Sequence, residues 1–143
     1  MKSLIYVSKA DKKFTHEEVL QLTNKSAEGN EASNITGFLC FMDGHFLQYI
    51  EGESVAIGTL FAKIEIDNRH SVISSLYNDE DHKAKFSSWK MKYLDSEFFH
   101  TLDVESFLSS QLQLMKEQGL YHKKWKDMIW QGVNILANKA NQV

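Results

Sequence analysis

A phenol at Tyr6, an amide at Gln48, an indole at Trp89 and a thioether at Met91 are the groups in this sequence that could converge on one sheet face. None is a useful general base near neutral pH, so together they do not make a hydrolytic constellation. They do suit hydrogen-bond and redox chemistry around an aromatic ligand. Gln48 is the sharpest of the four, because it stands alone among apolar neighbours in the run from Ile35 to Ile50. A buried amide left unpaired costs about 1–3 kcal/mol, so either the protein or a bound molecule must supply donors and acceptors.

Turn chemistry and periodicity define the elements that must position these groups. Asp43-Gly44 is a two-residue loop that closes a type I′ hairpin, since both positions tolerate positive φ. Counting outward pairs Phe41 with Phe46, Leu39 with Gln48 and Gly37 with Ile50, and places all six on one face. By the same parity Cys40 faces the other way. It is the single cysteine, which excludes an intrachain disulfide and any Cys-pair zinc site and reads as a reduced, buried thiol.

Ser3 to Ser8 alternates as a first strand with Leu4 and Tyr6 on one face. Thr15-His16-Glu17-Glu18 is a capping box, and Phe14 can staple to Val19. The helix it opens carries Val19, Leu22 and Ser26, with Gly29-Asn30 as its expected stop. Glu51-Gly52-Glu53 reads as a turn, and Ser54 as the cap of a second helix with Ile57, Leu60, Phe61 and Ile64 as its apolar stripe. Asp67 to His70 is a polar loop, Ser71 to Tyr77 a fourth strand, and Asn78 to Lys85 a charged, solvated loop. The alternation of residues 89–93 predicts a fifth strand with Trp89, Met91 and Tyr93 on one face.

The order β-α-β-β-α-β-β predicts an α+β, ferredoxin-like fold: a five-stranded mixed sheet with two helices on one face. Beyond it, Val104, Leu108, Leu112 and Met115, ending at Gly119, and then Trp125, Met128, Ile129, Val133 and Leu136 predict a C-terminal helical pair. That pair would cover the sheet's open face or pack on a partner. The expected organisation is a core domain over residues 1–95 and a helical extension over 96–143.

With 143 residues, 43% of them hydrophobic and 12% aromatic, the chain can bury one core. It has no apolar run of about 18 residues and no cleavable leader, which predicts a soluble, cytoplasmic protein without a membrane anchor. A net charge of −3 and no basic stripe argue against direct nucleic-acid binding, and the cluster from His122 to Lys126 is too short to alter that. The six histidines lack metal-ligand spacing, so no metal site is expected.

Several of these segments together resemble one family, the BLUF domains, blue-light sensors that bind FAD. The resemblance spans about residues 3 to 95. It is carried by the segment Leu4 to Ser8, by Asn30 ahead of Ile35-Thr36-Gly37, by the segment Phe46 to Gly52, by Asp67-Asn68-Arg69-His70, and by Trp89-Lys90-Met91. It implies a noncovalent FAD, with FMN or riboflavin as other flavins for the same site, whose ring lies between the two helices and is sandwiched by Leu22 and Ile64. Asn30 and Gln48 would hydrogen-bond the polar ring edge, with Tyr6 bonded to Gln48. Lys63, Asp67, Arg69 and His70 would lie near the ribityl and phosphate portion. The resemblance further implies that Tyr6 gives an electron and then a proton to the light-excited flavin, after which the Gln48 network is rearranged. Gln suits that role because its two ends are a donor and an acceptor of similar shape. Trp89 and Met91 would pass the change to strand five and the tail helices. The sequence departs from the family's common pattern at Gly29, Phe41 and Asn68, where asparagine, tyrosine and proline are frequent.

The expected function is thus a short photoreceptor that is not an enzyme, since the tail is too short for a cyclase or phosphodiesterase. It would signal to an unidentified protein partner, through a homo-oligomer, or both. The rival readings are a light-independent ferredoxin-like ligand- or subunit-binding module, and a small hydrolase using His70 or Cys40.

Overall fold

The computed structural model describes residues 1–95 and 123–141, apart from the side chains of residues 123–125 and 140. The element order is β1 (Lys2–Ala10), α1 (His16–Ala32), β2 (Thr36–Met42), β3 (His45–Gly52), α2 (Ser54–Ile66), β4 (His70–Asn78), β5 (Lys90–Leu94) and α3 (Lys123–Ala140). The strands form one mixed sheet in the order β4-β1-β3-β2-β5, with β5 parallel to β2 and the other pairs antiparallel. This is the expected ferredoxin-like α+β arrangement. The residues of the first tail helix, 104–118, lie outside the described residues, as does the Trp125 side chain.

The hairpin forms as its turn dictates. Asp43 and Gly44 adopt φ of 53° and 72°, and Leu39 faces Gln48 while Phe41 faces Phe46. Both sheet faces are covered, so the inner strands are buried on both sides and lose the in-out alternation of a half-exposed sheet. One face holds Leu4, Tyr6, Leu39, Phe46 and Ile50 against Val19 of α1 and Ile57 of α2. The other holds Ile5, Val7, Phe38, Cys40, Leu47 and Tyr49 against Ile129, Val133, Leu136 and Ala137 of α3. The apolar stripe of α3 therefore covers the open face of the sheet, and Cys40 lies on that side, as parity predicts.

The capping box at α1 is complete: Glu18 N donates to Thr15 Oγ1 and Thr15 N to Glu18 Oε1, both at 3.1 Å. The helix does not stop at Gly29-Asn30. It runs to Ala32, because the left-handed residue that ends it is Asn34, at φ 54°, and Asn30 is needed on the inner face with Val19 and Thr23. At α2 the N-cap is Glu53, without a side-chain capping bond; the Ser54 hydroxyl instead pairs with the Tyr77 hydroxyl at 3.1 Å.

Strand β5 begins one residue later than its alternation suggests, and Trp89 and Met91 part company. In the pairing with β2, Gly37 meets Lys90 and Phe38 meets Lys92, so Met91 is an extra residue in a bulge, at φ 126°. The bulge turns Met91 toward the face covered by α1 and α2, while Trp89 packs on the α3 face and stacks on Phe86 at 5.1 Å. Gly37 opposite the bulge cannot be replaced, since a Cβ there would sit 1.9 Å from the Tyr49 carbonyl oxygen.

Candidate functional site

Between α1 and α2, above the sheet, lies a cavity of about 460 Å³. That is within the range for a drug-sized organic ligand, about 300–1,000 Å³. Its apolar walls come from Leu22 on α1 and from Leu60 and Ile64 on α2, and its floor from Leu39 and Phe46 of the sheet. Leu22 and Ile64 are both half-buried, since each turns one side toward this space. A flat aromatic ring between two helices would be flanked by such side chains.

Three polar groups mark the inner end. Tyr6 is 4% exposed and its hydroxyl donates to Gln48 Oε1 at 2.5 Å. The Gln48 amide nitrogen donates to Met91 Sδ at 3.2 Å. Burial pushes the Tyr6 phenol up, with the Asp67 carboxylate adding to the effect. Tyr6 is therefore neutral and carries a transferable proton. Asn30, 4% exposed, lines the same cavity, and its Nδ2 has no hydrogen-bond partner among the described residues. A buried amide donor without an acceptor is destabilising, so this atom calls for a ligand acceptor such as a ring carbonyl.

The outer end is charged. Asp67 accepts from Arg69 N at 3.0 Å and from Arg69 Nε at 2.9 Å, and the Arg69 guanidinium closes an ion pair with the same carboxylate. The Arg69 side chain holds the Asp67 carboxyl down to about 2. Lys63 lines the rim from the last turn of α2. His70 is a brace: its Nε2 donates to the Ile64 carbonyl at 2.9 Å, and the neutral ring can accept at Nδ1 from Ser8 Oγ, 2.6 Å away. The brace ties β4 to β1 and to the Ile64 backbone, and its ring centroid lies 6.2 Å from that of Tyr6.

The structure thus brings together Tyr6, Leu22, Asn30, Gln48, Lys63, Ile64, Asp67, Arg69 and His70 around one space, and Met91 joins through Gln48. Trp89 does not join them: it packs on the opposite face, and the bulge turns Met91 alone toward the cavity side. Ser26, which the sequence places on α1 with Leu22, lines the cavity as well, and so do Ser33 and Thr59, which the sequence does not mark. The available signal for Thr59 is its position four residues before Lys63 on α2, whereas Ser33 lies at the C-cap of α1, beyond the helical period. Glu51, expected in a turn, is instead a fully buried residue near the end of β3.

These features define an α+β domain with a cavity whose size and lining suit a flat, partly polar ligand beside a phenol–amide–thioether chain of hydrogen bonds. A family model described as BLUF, sensors of blue-light using FAD, matches residues 1–92, and the chain belongs to this family. The photoactivated adenylate cyclase subunit alpha of Euglena gracilis is 32% identical over 75 residues, which are 52% of this chain and 7% of that protein. The subunit alpha-like protein FB of the same organism is 37% identical over 68 residues, 48% of this chain and 7% of that protein. The chain therefore spans less than a tenth of the length of these curated relatives. A bacterial light-regulated adenylyl cyclase structure matches with a TM-score of 0.66 at 28% identity, over 94% of this chain and 40% of that one. The dark-state structure of BlrB, a BLUF protein, shares the fold with a TM-score of 0.67, over 96% of this chain and 95% of that one, at 24% identity. Among the described residues, no helix is long and apolar enough to cross a membrane.

Proposed function

We propose that this chain is a blue-light photoreceptor in which Tyr6 and Gln48 form the switch and FAD is the bound flavin, FMN and riboflavin being alternatives for the same cavity. The observation that carries this reading is the unpartnered Asn30 Nδ2 beside the Tyr6–Gln48–Met91 relay in a ring-sized cavity. Leu22 and Ile64 would flank the ring, and Asn30 and Gln48 would bind its polar edge. Lys63 and Arg69 would lie toward the ribityl and phosphate portion.

When bound, the flavin supplies the absorption of blue light and an acceptor for one electron and one proton. Tyr6 is the group able to release both, because its phenol is neutral, buried and already aimed at an amide. Gln48 holds Tyr6 with its oxygen and Met91 with its nitrogen. Exchanging the two ends of that amide rewires both contacts without creating a charge in a buried site. Met91 then loses its donor, and strand β5 becomes the first backbone element to register the change. Residues 1–95 are the sensor in this reading. The tail beyond them, of which α3 covers the sheet, contributes to the output toward a protein partner or a second copy. The chain itself would signal without turnover chemistry.

Purified protein tests this directly: a yellow preparation whose visible flavin band moves reversibly to longer wavelength under blue light supports the reading. Protein that takes up no flavin would favour the light-independent binding module instead.

A further inference from the structure

Glu51 lies three residues from Gln48 on β3, on the opposite face of the sheet, and is fully buried. Its Oε2 accepts from Thr36 Oγ1 and from Phe86 N, both at 2.9 Å. Its Oε1 accepts from the Tyr49 hydroxyl at 2.9 Å and from Lys85 N at 3.0 Å. Two oxygens thus take four donors, two of them backbone N–H groups of the turn that leads into β5. Hydrogen bonds to an ionised acceptor are about twice as strong as neutral ones.

From that turn a short chain of backbone bonds reaches the bulge. Trp89 N donates to the Phe86 carbonyl at 2.9 Å, and Gly37 N donates to the Trp89 carbonyl at 2.8 Å. Two residues further on, Met91 Sδ meets Gln48 Nε2. Strand β3 therefore grips residues 85–91 at both ends, by a saturated carboxylate on one face and by a weak amide–thioether contact on the other.

We propose that Glu51 is a positioning residue of the light response: it fixes residues 85 and 86 in both dark and light, so that the loss of the Gln48–Met91 contact releases the chain only from Met91 onward. The proposal rests on the reading of Gln48 as the switch. Without the carboxylate the segment has no fixed end, and Met91 is no longer presented to Gln48. Glutamine at this position keeps the shape but directs its amide NH₂ at one of the two backbone N–H groups, Lys85 N or Phe86 N, so two donors face each other there and the turn loses half of its anchor.

The test is residue-resolved amide hydrogen exchange on the full chain loaded with FAD, in the dark and under continuous blue light. In the wild type, Lys85 and Phe86 amides should exchange slowly and equally in both conditions, while amides from Met91 to Leu94 speed up by at least about tenfold on illumination. Equal acceleration at Lys85, Phe86 and Met91–Leu94 overturns the proposal, and this comparison needs no variant. In Glu51→Gln the flavin red shift should persist, because Tyr6 and Gln48 are intact. Exchange from Lys85 to Leu94 should already be fast in the dark, which removes the light-minus-dark difference in exchange. Retention of that difference in Glu51→Gln also overturns it. Absence of any red shift in the wild type would count against the sensor reading instead, and slow dark exchange of Lys85 and Phe86 in Glu51→Gln would still count against Glu51 as their anchor.

Discussion

Gln48 Nε2 on β3 reaches across the neighbouring strand β2 to donate to Met91 Sδ on β5, at 3.2 Å. A side chain does not ordinarily bond a strand two places away. It does so here because Met91 occupies a bulge, opposite the step from Gly37 to Phe38, that turns it inward. The amide's other end, Oε1, holds Tyr6. One side chain therefore joins the electron and proton donor proposed above to an edge strand of the sheet.

Replacing Gln48 by Ala should leave flavin bound, because the apolar walls and Asn30 remain, and should abolish the normal light-minus-dark red shift. The Tyr6 hydroxyl loses its acceptor, so unfolding free energy should fall by about 1–3 kcal/mol. Difference spectroscopy and urea denaturation read the two effects separately. A wild-type difference spectrum would show that Gln48 is not the switch.

The Asp67 carboxylate neutralises Arg69 at the cavity rim. Asp67→Asn should release that guanidinium for a phosphate, raising affinity for FMN and FAD by about three- to tenfold while leaving riboflavin nearly unchanged. Fluorescence titration with the three flavins measures the ratio. An equal change for all three would place Arg69 away from the phosphate.

How the sequence maps onto the structure differs from place to place. Asp43-Gly44 fixes a turn, and a turn fixes register, so the partners of Gln48 on the hairpin and the buried side of Cys40 were readable by counting. Alternation puts Trp89 and Met91 on one face, but the extra residue in a bulge breaks the two-residue period, and nothing in Trp-Lys-Met announces it. Gly29-Asn30 looks like a stop, yet α1 runs on to Ala32. The Cβ position of Gly29 has nothing within 4 Å, and Asn30 is required in the cavity. Glu51 looked like a turn residue for a related reason: its four donors come from segments distant in sequence as well as from nearby Tyr49. The site residues converge because the spacing of whole motifs carried them, whereas the hydrogen-bond partners of each required coordinates.

The seat of α3 on the sheet predicts a clear contrast within one helix. Leu136 is 1% exposed in the core and Ile135 is 45% exposed. Leu136→Ala should cost about 2–5 kcal/mol of unfolding free energy, and Ile135→Ala no more than about 0.5 kcal/mol. Chemical denaturation of the two variants decides it. Equal, small effects would mean that α3 does not contribute to the core in solution.

Alkaline pH should weaken the fold. Burial pushes the Cys40 thiol up to about 12 from 9.0, and raises the Tyr6 and Tyr49 phenols as well. Above about pH 9 the unfolded chain releases protons that the folded chain keeps. Stability is therefore full below that pH and is lost as pH rises toward the folded values. Each group contributes a slope of up to about 1.4 kcal/mol per pH unit, so Cys40 alone should remove about 2 kcal/mol by pH 10.5. Urea midpoints from pH 7 to 10.5 should fall, and less steeply in Cys40→Ala. A flat profile would contradict the burial of these groups.

In the proposed switch the Tyr6 hydroxyl, 2.5 Å from Gln48 Oε1, starts the light response. The most direct measurement is the light-minus-dark absorption spectrum of flavin-loaded wild type beside Tyr6→Phe, which keeps the ring and removes only the hydroxyl. A reversible red shift is expected in the wild type and none in Tyr6→Phe, with both proteins retaining flavin. A red shift of wild-type size in Tyr6→Phe would rule out that role for the hydroxyl.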